Sequence, residues 1–144
     1  MSKDRIDVLF LCTHNAGRSV AAKTIFNDRA AKLGLEMRAQ SAGTTPGKQI
    51  NPAVQRILES FNLDVSGEVP KLLTDEMLKG DPRVVSMGCE VDTESCPAVN
   101  FADADDWELP NPSQMSSDEE IVPLIHDIAR RVNTLIQEMT SAGN

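Results

Sequence analysis

The chain has 144 residues, 40% of them hydrophobic, and carries 22 Asp and Glu against 14 Lys and Arg, a formal net charge of −8. That length suits one domain, residues 1–144, around a single core, and the acidic balance excludes a broad nucleic-acid or anionic-membrane surface, which needs clustered Lys and Arg. The apolar run Val8 to Cys12 is too short to span a bilayer and the mixed-charge segment before it has no signal-peptide core, so a cytoplasmic protein is expected.

"IDVLFLC" is a dense, β-prone run that suits a strand buried on both faces, ending at Cys12. After a short loop, Ala22, Ile25, Phe26, Ala30 and Leu33 fall on one helical face, and Gly34 is placed to end that helix. "LEMRAQSAG" reads as a second strand closing at Ser41-Ala42-Gly43. Asn51 is then a helix cap with Pro52 at the first position and Val54, Ile57, Leu58 and Phe61 facing the core. "LTDEML" reads as a short capped helix, "RVVSMGC" as a third buried strand ending at Cys89, and the region around Trp107 as a short fourth strand.

The last helix carries Ile121, Ile125, Ile128, Val132, Leu135 and Met139 as one stripe. Ser117 and Glu120 have capping-box spacing, and Pro123 marks where regular helix is expected to begin. Strands alternating with helices imply a doubly wound α/β sheet, whose ligands sit beyond the carboxyl ends of the strands. Cys12 and Cys89 both end strands and should share that edge.

The loop "CTHNAGRS", residues 12–19, joins the first strand to the first helix. Such a loop can aim several backbone N–H groups at an anion, with the helix dipole adding positive potential. Here Thr13, His14, Asn15, Ala16 and Gly17 would supply the amides. Gly17 and Asn15 tolerate unusual backbone conformations, and Arg18 offers a planar fork for a tetrahedral oxyanion. The same dipoles, with the Ser19 hydroxyl, favour a Cys12 thiolate, the nucleophilic form.

Together "VLFLCTHNAGRSVAA", "SAGT" at 41–44, "PKLLT" at 70–74, "VVSMGC" at 84–89 and "DWELPNP" at 106–112 resemble the low-molecular-weight protein tyrosine phosphatase superfamily, and within it the arsenate reductase branch. The resemblance covers nearly the whole chain in order. It implies the phosphatase I fold, a four-stranded parallel sheet flanked by helices on both faces. It also implies Cys12 as nucleophile, Arg18 as oxyanion binder, and Asn15 with Ser41 as supports of the loop. In similar arsenate reductases the nucleophile forms a thiol-arsenate adduct, a second cysteine attacks its sulfur to release arsenite, and a third takes over the disulfide. Cys89 and Cys96 are the matching pair here. Thioredoxin is the reductant such a relay implies, although mycothiol with mycoredoxin, or another low-molecular-weight thiol, fits the same residues.

Two further features bear on the substrate. Phosphotyrosine pockets use aromatic walls, whereas "NPSQMS" follows here and the chain has no tyrosine. The family's general-acid aspartate is replaced by Asn111, and an amide cannot protonate a leaving group. Arsenate brings its own exchangeable protons, so the reading favours arsenate over a phosphoester. Asp105 and Asp106 are expected to belong to a solvated acidic run. Lys23 stands where thioredoxin-coupled relatives carry a carboxylate that helps hold potassium, and is expected on the exposed helix face. No metal or cofactor is expected: Cys89 and Cys96 are outside usual zinc-ligand spacing, and His14 and His126 are the sole imidazoles. The rival functions are a weakened tyrosine phosphatase and a non-catalytic oxyanion-binding or sensor protein.

Overall fold

Strand β1, Val8–Cys12, is buried at all five positions and forms the axis of the molecule. In the computed structural model the described residues are 6–12, 15, 17–43, 47–65, 67–78, 82–87, 105–107 and 117–142. Around β1 stand α1 (Arg18–Lys32), β2 (Ala39–Gly43), α2 (Pro52–Ser60), a 3-10 helix (Asp75–Leu78), β3 (Arg83–Ser86), β4 (Asp105–Asp106) and α3 (Asp118–Ala142). The sheet has four strands in the order β2-β1-β3-β4, every pairing parallel. This is the α/β class that the alternation of elements implied.

Side chains on a strand alternate between faces, and β1 divides its residues accordingly. Val8, Phe10 and Cys12 face the larger core, built with α1, α2 and α3, whereas Leu9 and Leu11 meet Ala42, Leu73, Met77 and Val84 on the other side. The sheet is therefore covered unequally among the described residues: three α-helices lie on one face and the 3-10 helix on the other. Phe10 anchors the larger core through an edge-on contact with Phe26, centroids 6.1 Å apart, and a tilted contact with Trp107 at 5.6 Å.

The helix ends follow from local chemistry, with two corrections to the expected apolar faces. Helix α1 stops where Gly34 takes φ +69°, and its N–H and that of Leu35 close back on Ala31 and Ala30. Leu33 therefore falls past the last helical turn and is 64% exposed rather than buried. Asn62 ends α2 in the same way at φ +65°, which leaves Phe61 half-exposed against the ring of His126.

Helix α3 begins at Asp118, five residues before Pro123. A proline there loses only the bond to the Glu119 carbonyl, in the exposed first turn where water replaces it. The predicted second strand forms only in its latter half, Ala39–Gly43, and the short helix expected in "LTDEML" is a 3-10 helix, Asp75–Leu78.

The carboxyl ends of the three longer strands meet at one edge. Cys12 pairs with Gly43, Leu11 pairs with Ser86, and the Met87 N–H continues β3 onto the Leu11 carbonyl. Cys89 and Cys96 lie outside the described residues. The cap of α2 offers a direct check on the local argument: Asn51 Oδ1 accepts from Ala53 N at 2.9 Å and Val54 N at 3.3 Å. Asn51→Ala is expected to cost about 1 kcal/mol, read as a lower urea midpoint with an unchanged slope.

Candidate active site

Cys12 is 2% exposed at the end of β1, where the chain turns toward α1. Asn15 makes that turn in the left-handed region, φ +50°, and sends its backbone N–H to Cys12 Sγ at 3.2 Å. The unusual backbone angle thus falls on Asn15, while Gly17 sits at φ −146°, ψ −80°. Asparagine is among the few residues that accept the left-handed region, and its side chain is fully used here.

The orientation of the Asn15 amide follows from one donor. The Lys71 backbone N–H can only donate, so the atom of Asn15 facing it at 2.7 Å must be Oδ1. Asn15 Nδ2 then faces Ser19 and donates to its Oγ at 2.8 Å. Ser19 Oγ lies 2.9 Å from Cys12 Sγ: its second lone pair can accept from a thiol, whereas a thiolate can only accept, so to a thiolate the Ser19 hydroxyl donates. A thiolate at this position therefore faces two donors, the Asn15 amide and the Ser19 hydroxyl.

Helix α1 starts directly after the loop, with no side-chain cap and no acidic residue in its first turn. Its positive end is therefore not neutralised by an internal carboxylate. Arg18 opens this helix, is buried, and donates from Nη1 to the Met87 carbonyl at 2.8 Å. The Arg18 guanidinium is thus held by the residue that follows β3.

Lys23 departs from its sequence expectation. Rather than projecting from the exposed face of α1, its side chain is 15% exposed and its Nζ meets Glu68 Oε1 at 2.6 Å. Ser19, Lys23 and Asn27 recur every four residues, a polar stripe that faces β2 and the segment after α2. Asn27 bonds both backbone groups of Ala39. Glu68 also meets Lys71 Nζ at 3.5 Å, and Lys71 Nζ reaches Gln40 Oε1 at 3.4 Å.

Burial pushes the Glu68 carboxyl up, but the hydrogen bond and charge of Lys23, with the charge of Lys71, more than offset this and hold it below its ordinary value. The Lys71 ammonium is pushed below the ordinary lysine value by burial and then by the Lys23 charge, against the pull of Glu68. Glu68, Lys71 and Gln40 adjoin the site through these contacts, and the sequence reading did not single them out. The polar stripe Ser19, Lys23 and Asn27 on α1 is the one sequence signal that this face meets polar groups.

The structure therefore brings together Cys12, Asn15, Arg18 and Ser19, with Gly17 at the helix start. Ser41 is fully buried on β2, but no described hydrogen bond joins its Oγ to Asn15 or to any other group. Thr13, His14, Ala16, Cys89, Cys96 and Asn111 lie outside the described residues. The described arrangement can generate a nucleophilic sulfur beside a cation and a helix N-terminus, which is chemistry for attack on a tetrahedral oxyanion.

Comparison with known proteins gives matches over most of the chain. The family model described as "Low molecular weight phosphotyrosine protein phosphatase" matches residues 7–143. Among solved structures, an arsenate reductase from Archaeoglobus fulgidus superposes with a TM-score of 0.72 at 27% identity, covering 90% of this chain and 98% of its own. A thioredoxin-dependent arsenate reductase of Corynebacterium glutamicum gives 0.70 at 27% identity, covering 99% of this chain and 65% of that one. A low-molecular-weight protein-tyrosine-phosphatase of Bacillus subtilis is 34% identical over 90 residues, 59% of this chain and 58% of its own.

The Lys23–Glu68 pair makes a pH-dependent contribution. Because the folded Glu68 carboxyl lies below its ordinary value of 4.5, the stability it contributes is fully present above that pH and is lost as pH falls through the lower folded value. Glu68→Gln is expected to cost about 1–2 kcal/mol at neutral pH, since the pair is mostly but not wholly buried. The gap from wild type should narrow as the pH drops below 4.5. Urea unfolding across that range checks this, and a gap independent of pH would contradict it.

Proposed function

The chain belongs to the low molecular weight phosphotyrosine protein phosphatase family, and from that premise we propose that it is an arsenate reductase acting in the cytoplasm. The Cys12 thiolate attacks the arsenic of arsenate, a S–As bond forms, and one oxygen leaves as water with protons the substrate already carries. The Cys89 thiolate then attacks Cys12 Sγ. The S–As electron pair passes to arsenic, releasing arsenite and leaving a Cys12–Cys89 disulfide. Cys96 attacks the Cys89 sulfur, frees Cys12 and leaves a Cys89–Cys96 disulfide for an external thiol system to reduce. Thioredoxin is the proposed reductant, with a low-molecular-weight thiol such as mycothiol as the alternative.

One contact carries this reading. Arg18 is tied to the Met87 carbonyl, and Cys89 follows two residues later, a contour of about 7 Å. The oxyanion-binding cation and the entry to the second cysteine are thus fastened to each other beside Cys12. Support also comes from Asn111, which cannot act as the general acid a phosphoester's leaving group needs, and from the two reductases of the same fold at 27% identity. The Bacillus subtilis relative, named a phosphatase, favours weak phosphoester hydrolysis as a second activity of the same loop.

Arsenite formation from arsenate, measured with thioredoxin and its reductase and then with low-molecular-weight thiols, tests the proposal. Cys12→Ser is expected to abolish it, and Cys89→Ser and Cys96→Ser to lose multiple turnover with thioredoxin. Full multiple turnover in the latter two would rule out the relay. For the second activity, Asn111→Asp is expected to raise hydrolysis of an aryl phosphate by up to about 10²-fold, and no gain would remove Asn111 from the general-acid position.

A further inference from the structure

Lys23 has no part in the reaction just described, yet the fold encloses it. The segment from Val65 to Leu73 runs over the edge of the oxyanion loop like a strap, and its central part is not held by hydrophobic burial: Val69 is 60% and Leu72 56% exposed. Polar bonds secure it instead. On one side the Lys71 carbonyl accepts from Gly43 N at 2.8 Å, and Leu73 N donates to the Gly43 carbonyl at 2.9 Å. On the other, Glu68 is drawn onto Lys23 of α1 at 2.6 Å. Between these anchors the Lys71 N–H reaches Asn15 Oδ1.

We propose that Lys23 is a positioning residue for the nucleophile: through Glu68 it holds the strap so that the Lys71 N–H fixes Asn15, and Asn15 aims its own amide and the Ser19 hydroxyl at Cys12. The backbone bonds to Gly43 fix the carbonyl of Lys71 and the amide of Leu73, but neither sets where the Lys71 N–H points. Glu68, three residues upstream, supplies the second point of attachment. Lys71 does not replace Lys23 as its partner, since its ammonium is 3.5 Å from Glu68 and is shared with Gln40.

Lys23 also stands one turn beyond Ser19 on the same helix face, so the strut and the last donor to the sulfur share one rigid element. Removing the ammonium leaves a mostly buried carboxylate with one weaker partner, and the strap can relieve that by moving Glu68 toward water. The Lys71 N–H would move with it.

The inference rests on the nucleophilic role proposed for Cys12, and its test avoids arsenate so that the two can fail separately. In a Cys89→Ser, Cys96→Ser background Cys12 is the only thiol, and its alkylation by iodoacetamide at neutral pH reports how well the donors hold the thiolate. Lys23→Met and Glu68→Gln are each expected to slow alkylation by about tenfold, the size of one lost charge-assisted hydrogen bond. Lys23→Arg, which keeps the charge, should restore the rate to within about twofold of the parent. A lowered melting temperature with an unchanged alkylation rate in both Lys23→Met and Glu68→Gln would overturn the proposal, as would a loss in Lys23→Arg equal to that in Lys23→Met. Normal alkylation behaviour with no arsenate reduction by the unmutated chain would instead sink the reductase reading and leave this one standing.

Discussion

The backbone N–H of Lys71 meets the side-chain oxygen of Asn15 at 2.7 Å, and the orientation of the amide that reaches Ser19 follows from it. An amide N–H cannot accept, so Asn15 cannot be turned the other way. Its nitrogen donates to Ser19 Oγ, which leaves the Ser19 hydroxyl hydrogen for a Cys12 thiolate 2.9 Å away. The same side chain holds Asn15 in a left-handed backbone, the conformation that delivers its own N–H to the thiol. Asn15 and Ser19 are fully buried and Cys12 nearly so, where an unmade hydrogen bond is costly, so the arrangement is hard to loosen in part.

This network explains how a chain of net charge −8 supports an oxyanion site. Among the described residues the positive potential comes from the Asn15 N–H, a helix end with no acid in its first turn, and Arg18 held on Met87. Lys23 and Lys71 share one carboxylate at the edge of the site. Acidic residues elsewhere are screened over roughly 8 Å at physiological salt and weigh little against donors in direct contact.

Much of this was legible in the residues. The dense apolar run ending in cysteine, the loop of small residues before Arg18 and Ser19, and the amphipathic helix behind them specify strand, anion loop and helix without reference to anything distant. The caps were equally local, which is why Asn51, Pro52 and Gly34 read correctly. What escaped depends on where the chain returns. Lys23 looks like a surface residue until Glu68, 45 positions later, is laid over it. Lys71 contributes through its backbone, which carries no mark in the sequence. Leu33 and Phe61 continue an apolar stripe in projection, but the helices end one residue before each of them.

In the proposed reaction Cys89 and Cys96, beyond the nucleophile, are the difference between hydrolysing an oxyanion and reducing one. Disulfide mapping after a single turnover addresses that difference directly. Fully reduced protein is mixed with one equivalent of arsenate, without thioredoxin or any other thiol, quenched in acid and digested for mass spectrometry. The account predicts a Cys89–Cys96 disulfide, a free Cys12 and one equivalent of arsenite. Three reduced cysteines and unconsumed arsenate would contradict it.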